Sequence, residues 1–205
     1  QHGALRFGLP MAIVLVCLTG SRWPRMGGWS RFGVAALFGL SSFWALEAFA
    51  YSLVTVAALS ALQVWWLDSS ERRGWILRRS LEPLAACVAV HAVFALLTLA
   101  FTGQLPDWGM YLTYLRAFLF EKLGEITYDF RAWSPGFAVA VVYLSSIAAI
   151  VLLLMRRPGY CREQQTRMLA LVGMTAFGVA LFSYFVNRST GHVLPYVCLP
   201  ALVVV

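Results

Sequence analysis

Between Phe32 and Leu67 the chain runs for 36 residues with a single charged side chain, Glu47, and both flanks are basic. As one helix that stretch would measure about 54 Å, at about 1.5 Å per residue. The hydrocarbon core of a bilayer is only about 30 Å thick. One crossing cannot absorb it, and Arg22, Arg25 and Arg31 before it and Arg72, Arg73, Arg78 and Arg79 after it hold both ends on the same side of a membrane. The stretch therefore reads as a helical hairpin turning near Trp44-Ala45-Leu46-Glu47. Composition agrees with that solvent. Hydrophobic residues make up 60% of the chain, charged residues 12%, and mean hydropathy is +0.74, against roughly 25% charged residues in a soluble domain.

The expected class is all-α, a polytopic transmembrane bundle occupying residues 1–205 as one domain. Further apolar segments lie at Phe7 to Thr19, Leu81 to Phe101, Gly136 to Met155, Met168 to Val186 and from Pro195 onward. With the hairpin these give seven crossings, the first and last cut short. Opening on Gln1 and ending at Val205 inside an apolar run, the chain reads as a fragment. Met11 to Thr19 does not read as a signal peptide, because a basic turn and further spans follow it rather than a cleavage site. Ser80 is the expected N-cap of the Leu81 span, with Pro83 in its first turn, and Ser134-Pro135 is the N-cap and N1 pairing that opens the next one.

The basic residues assign the sides. Eleven of the 16 Lys and Arg fall in segments 21–31, 68–80 and 156–167, and the other five are Arg6, Arg116, Lys122, Arg131 and Arg188. That asymmetry places the first group in the cytoplasm and puts three polar features outside: the Glu47 tip, segment 103–135 and the turn at 187–194. The net charge of +7 comes from these clusters, and no basic groove interleaved with stacking aromatics suggests nucleic acid. Cys17, Cys87, Cys161 and Cys198 lack CxxC or paired-His spacing and read as free thiols, with no metal site implied.

In the outer segment Trp108, Leu112, Leu115, Leu119 and Leu123 recur at helical spacing, with Asp107 as N-cap, and predict an amphipathic helix on the membrane surface. Asp107, Glu121, Glu125 and Asp129 read as solvated charges of that loop, with a carboxylate lining a site as the alternative and Asp107 the one best explained by its capping role. Glu47 is either a solvated cap at the hairpin tip or a functional group, since an ionisable residue in an apolar run is costly. His91 sits in mid-span, where a hydrogen bond between helices is the simplest account. A proton relay there would need a carboxylate at the same depth.

The run "FSYFVNRSTGHVLPYVCLP", residues 182–200, places Arg188 and His192 between two spans, next to a helix expected to begin near Leu194. A guanidinium, an imidazole and free helix-start amides together form an anion site suited to a lipid phosphate. A plain interfacial turn with a snorkelling arginine is the alternative. Asn187-Arg188-Ser189 also matches a glycosylation sequon.

The segment from Arg188-Ser189-Thr190-Gly191-His192-Val193-Leu194-Pro195-Tyr196 through Leu199-Pro200-Ala201 resembles the late membrane motif of GT-C type glycosyltransferases, especially bacterial relatives of protein mannosyltransferases and lipid A aminoarabinose transferases. The hairpin sequence at residues 39–55 is compatible with the middle of such a domain. The resemblance implies a multi-pass enzyme of the bacterial inner membrane. It would transfer a sugar from a polyprenyl-phosphate carrier, the lipid-linked donor, to an acceptor on the outer side, in one inverting displacement. Arg188 and His192 would bind the carrier phosphate, and Glu47 would be a candidate contact for sugar or acceptor. The family's acidic base lies in an early external loop that nothing here matches, so no catalytic residue is assigned. A transporter or lipid flippase using Glu47, His91 and Arg188 is the main alternative, although residues 7–101 and 110–205 show no internal repeat of the kind such folds carry. A non-catalytic membrane subunit is a third.

Overall fold

The structure is a computed structural model that describes residues 4–120, 134–156, 161–187 and 194–204. Among the described residues every regular element is a helix: α1 (Ala4–Arg22), a 3-10 turn (Pro24–Met26), α2 (Gly27–Trp44), α3 (Leu46–Trp66), α4 (Ser69–Thr102), α5 (Trp108–Phe120), α6 (Pro135–Met155), α7 (Arg162–Asn187) and α8 (Leu194–Val204). Five of them, α1, α3, α4, α6 and α7, are long and apolar enough to cross a bilayer, which makes this an integral membrane protein.

Two of the seven expected crossings do not meet that standard by themselves. Helix α8 is a shorter apolar helix of 11 residues. Helix α2 has the length, 18 residues, but is diluted by glycine, serine and tryptophan. Those small residues serve packing rather than lipid contact: α2 lies between α1 and α4 and also touches α3. The hairpin itself is as expected. A single extended residue, Ala45 (φ −164°, ψ 145°), separates α2 from α3.

The first corrections concern helix starts. Ser80 is not an N-cap, because α4 runs unbroken for 34 residues from Ser69 with Pro83 in its interior. The segment before Ser80 is itself a good helix: Asp68 stands at the N-cap position, its carbonyl accepts from the Glu71 and Arg72 amides, and Glu71 suits the first turn. Pro83 can offer no N–H to the Arg79 carbonyl four residues back, yet the helix continues through it. Ser134 does cap α6, accepting from the Phe137 amide at 3.2 Å with Pro135 at the helix start. The segments read as loops at 21–31 and 156–167 are also mostly helical where described, since α2 begins at Gly27 and α7 at Arg162.

Helix α7 runs through the centre of the packing and touches α1, α3, α6 and α8. Its side chains join two apolar clusters. One holds Ile13, Val14, Leu59, Met168 and Leu169, and the other Tyr51, Tyr143, Phe177, Leu181 and Val197. Between helices in lipid there is little hydrophobic gain to be had, so close approach through small residues sets the geometry. A Cβ at Gly173 would meet Val14 and Leu59 at 3.0–3.2 Å, and one at Gly39 would lie 2.8 Å from the Ala86 carbonyl oxygen of α4. Because the neighbour at Gly39 is backbone, it cannot rotate away. Gly39→Ala is expected to lever α4 off α2 and cost about 1–3 kcal/mol, read as a lower unfolding midpoint of the purified protein in detergent.

The segments rich in arginine gather at one end of the bundle. Arg162 Nε donates to the Ser21 carbonyl at 2.9 Å, the Ser21 and Thr166 hydroxyls are 2.8 Å apart, and Arg31 of α2 reaches Glu82 of α4. The hairpin tip and the start of α1 meet at the other end, through Arg6 and Glu47.

Candidate functional site

At the hairpin tip Ala45 turns the chain so that Glu47 falls in the first turn of α3, where a carboxylate complements the helix dipole. Its Oε1 accepts from Arg6 Nη2 at 2.6 Å, and the two side chains are only 13% and 16% exposed. Glu47 is therefore an ion-paired, mostly buried group tying α3 to the start of α1, where the sequence offered a solvated cap or a substrate contact. Arg6 is the residue that sequence reasoning passed over. In the sequence it reads only as an outer-side charge, and the available signal is one cation and one anion at the same edge of two neighbouring spans.

Helix α2 touches both α3 and α4, but α3 and α4 scarcely touch each other, and the space between them is an open groove of about 670 Å³. Its walls are mostly apolar, with Leu53, Ala57 and Ala61 from α3 and Leu84 and Cys87 from α4. At the hairpin end Tyr111 and Leu115 of α5 close over it. No residue of α4 is buried, so the groove opens sideways to the surroundings of the helix, which in a membrane are lipid tails.

Helix α5 starts as expected, with Asp107 Oδ1 accepting from the Met110 amide at 2.9 Å, and this accounts for Asp107. Its packing differs. The Trp108 ring lies edge-on to His91 at 5.6 Å and to Phe94 at 6.5 Å, two to three turns before the end of α4, or about 12–16 Å at about 1.5 Å per residue. Gly103 makes this possible by capping α4 in the left-handed conformation (φ 70°) and sending the chain back along the helix. Tyr111 and Leu115 face the groove and Trp108 faces His91, while Leu112 is more exposed than Tyr111. Of the described positions in the expected stripe, Trp108 and Leu115 fall as expected and only Leu112 gives way to Tyr111, because the start of α5 turns back onto the His91 and Phe94 rings. Leu123, Glu121, Glu125 and Asp129 lie outside the described residues.

His91 borders the groove below Trp108. Its Nε2 is a long 3.4 Å from the Ser42 hydroxyl of α2, which itself donates to the Gly39 carbonyl at 2.7 Å. With that hydroxyl hydrogen committed, Nε2 is the donor, and Nδ1 is left as a buried acceptor without a partner. The interhelical contact expected of His91 is present. Among the described residues no carboxylate bonds to it.

At the arginine-rich end, Arg31 donates to Glu82, Arg79 Nη1 stands 3.7 Å from the other Glu82 oxygen, and Arg79 Nη2 reaches Gln63 at 3.4 Å. This network links α2, α3 and α4 at the foot of the groove. Sequence reasoning saw only basic anchors here; Glu82, an acid beside a cluster of arginines, was the overlooked clue. All four cysteines are free thiols, and Cys17, Cys87 and Cys198 are partly buried. Among the described residues no three His, Cys, Asp or Glu side chains converge as metal ligands.

Arg188 and His192 lie outside the described residues, which resume at Leu194, the first residue of α8. The chain matches no family model, no curated protein and no solved structure. The arrangement is a sideways-open apolar groove with the His91 imidazole near one end and the Arg79 guanidinium at the other.

Proposed function

We propose that this chain is the membrane part of a GT-C type glycosyltransferase, moving a sugar from a polyprenyl-phosphate carrier to an acceptor on the outer face of the bacterial inner membrane. The observation that carries the reading is the groove between α3 and α4. It is apolar, open to lipid and partly roofed by α5, as an isoprenoid tail requires. The motif beginning at Arg188 and running into α8 supports the same class. In the reaction an acceptor oxygen forms the new bond to the anomeric carbon while the bond from that carbon to the phosphate oxygen breaks, inverting the centre. The electron pair leaves with the carrier phosphate, where Arg188 and His192 would stabilise it. The acceptor proton goes to a carboxylate base, which the resemblance places in an early external loop and to which no residue of this sequence is assigned.

Reconstituted full-length protein should transfer sugar from a polyprenyl-phosphate donor, and Arg188→Ala should abolish that transfer with membrane insertion intact. Ala57→Trp, which fills the groove, should slow transfer from the long-chain donor and spare a donor with a truncated tail. Unchanged transfer in Arg188→Ala removes the phosphate assignment, and equal losses with both donors in Ala57→Trp remove the groove as the tail site.

One feature favours lipid translocation as a second reading. The groove is lined from Trp75 and Arg79 up to His91, about 24 Å along α4, and so spans most of a bilayer. Lipid movement between leaflets without any sugar donor would support it.

A further inference from the structure

We infer that the arginine-rich end of the α2 and α4 pair binds an anionic phospholipid, with its phosphodiester among Arg31, Arg78 and Arg79 and an acyl chain in the furrow that runs away from them. Two cavities meet at Arg31. The first, about 520 Å³, is polar, and Arg31, Arg78, Arg79, Glu71 and Trp75 line it. The second, about 690 Å³, lies on the flank of α2 and α4 away from the large groove and is walled by Ala35, Ala36, Ala85, Ala86 and Ala89. Alanine side chains leave a smooth channel for a hydrocarbon chain, and its mouth is at Arg31 and Glu82.

Charge decides the headgroup. Three guanidiniums stand against two carboxylates, Glu71 in the wall and Glu82 bonded to Arg31, which leaves one positive charge. A phosphodiester carries one negative charge. Arg78 has donors to spare, since among the described residues no acid pairs with it. The Arg79 guanidinium stacks on Trp75, 5.2 Å from its ring centroid. Guanidinium forks match phosphate oxygens geometrically, and basic clusters beside a membrane span meet anionic lipids of the cytoplasmic leaflet. The site lies at the opposite end of the bundle from the proposed phosphate contacts; it shares Trp75 and Arg79 with the foot of the large groove, whereas Arg31 and Arg78 line the two cavities and not that groove.

The test is native mass spectrometry of the purified full-length protein with dioleoylphosphatidylglycerol or dioleoylphosphatidylcholine. The glycerol lipid should be retained about fivefold or more over the choline lipid, and Arg78→Gln alone should cost about a fivefold loss, on the scale of one arginine at an anionic surface. Arg78→Gln with Arg79→Gln should erase the preference, whereas Arg72→Gln with Arg73→Gln, an equal change of charge outside the cavity lining, should keep it. Equal retention of the two lipids overturns the site, as does an equal loss in the Arg72 and Arg73 variant. Displacement of the lipid by glycerol phosphate at equal concentration would mark a free-phosphate site and overturn the lipid assignment. Arg78 is exposed and its substitution leaves the fold intact, so the single variant reads binding alone.

Discussion

Glu47→Ala is expected to destabilise the purified protein by about 3 kcal/mol, the lower end of the range for removing one partner from a buried ion pair. The loss arises on the side that remains. The Arg6 guanidinium donates to Glu47 at 2.6 Å with 16% of its side chain exposed, and without the carboxylate it keeps its charge but loses that acceptor in a place poorly reached by water. Burial is incomplete on both sides, which is why the low end applies. Removing both groups is milder than removing one, because no charge is left to compensate. The double variant Arg6→Met, Glu47→Leu should therefore recover most of the stability, and the cycle closed by the single variants Arg6→Met and Glu47→Leu should give a coupling of about 1–3 kcal/mol. Unfolding by denaturing detergent, followed by circular dichroism, measures each variant. A cycle with no coupling would show that the pair does not join α1 to the hairpin.

Gly178→Ala should cost a similar amount, about 3 kcal/mol, by a different route. A Cβ at Gly178 of α7 would run into the ring and hydroxyl atoms of Tyr143 on α6. That ring is 3% exposed, and its hydroxyl donates to the Val197 carbonyl of α8 at 2.6 Å. The site on α8 has a local cause. Pro200 has no N–H for the Tyr196 carbonyl and crowds it, and next to this disturbed turn the Val197 carbonyl takes the phenol. The extra methyl must displace the ring, so the cost of overpacking, about 1–3 kcal/mol, adds to that of an interhelical hydrogen bond, about 1 kcal/mol. Tyr143→Phe alone should lose only the second part. In a Tyr143→Leu background Gly178→Ala should cost far less, since the clashing ring is gone. Full additivity of the two changes would mean that Gly178 and Tyr143 do not share this space.

Much of this architecture could be read along the chain. Apolar length, the basic flanks and the 36-residue stretch led to a helical membrane bundle with a hairpin, and Ala45 makes the turn where it was expected. Asp107 and Ser134 cap their helices as their positions suggest. These features depend on residues within a few positions of one another. The misreadings share another trait. Ser80 has the chemistry of a cap, but whether a helix starts there depends on what precedes it, and Ser69–Arg79 is helical in its own right. On α5 only Leu112 departs from the expected stripe, since the reversal at Gly103 decides which atoms of α4 and of the groove the helix start meets.

From the sequence by itself came the solvent, the helical class and the local caps, because hydropathy over about 20 residues and hydrogen bonding across three or four are properties of short segments. Only the tertiary structure could decide that Glu47 meets Arg6 across 41 residues, that Glu82 answers Arg31 across 51, and that α3 and α4 part to leave a groove. Those outcomes follow from how closely pairs of helices approach. That distance is governed by single small residues such as Gly39 and Gly178 facing particular atoms of another helix, a relation that no local pattern encodes.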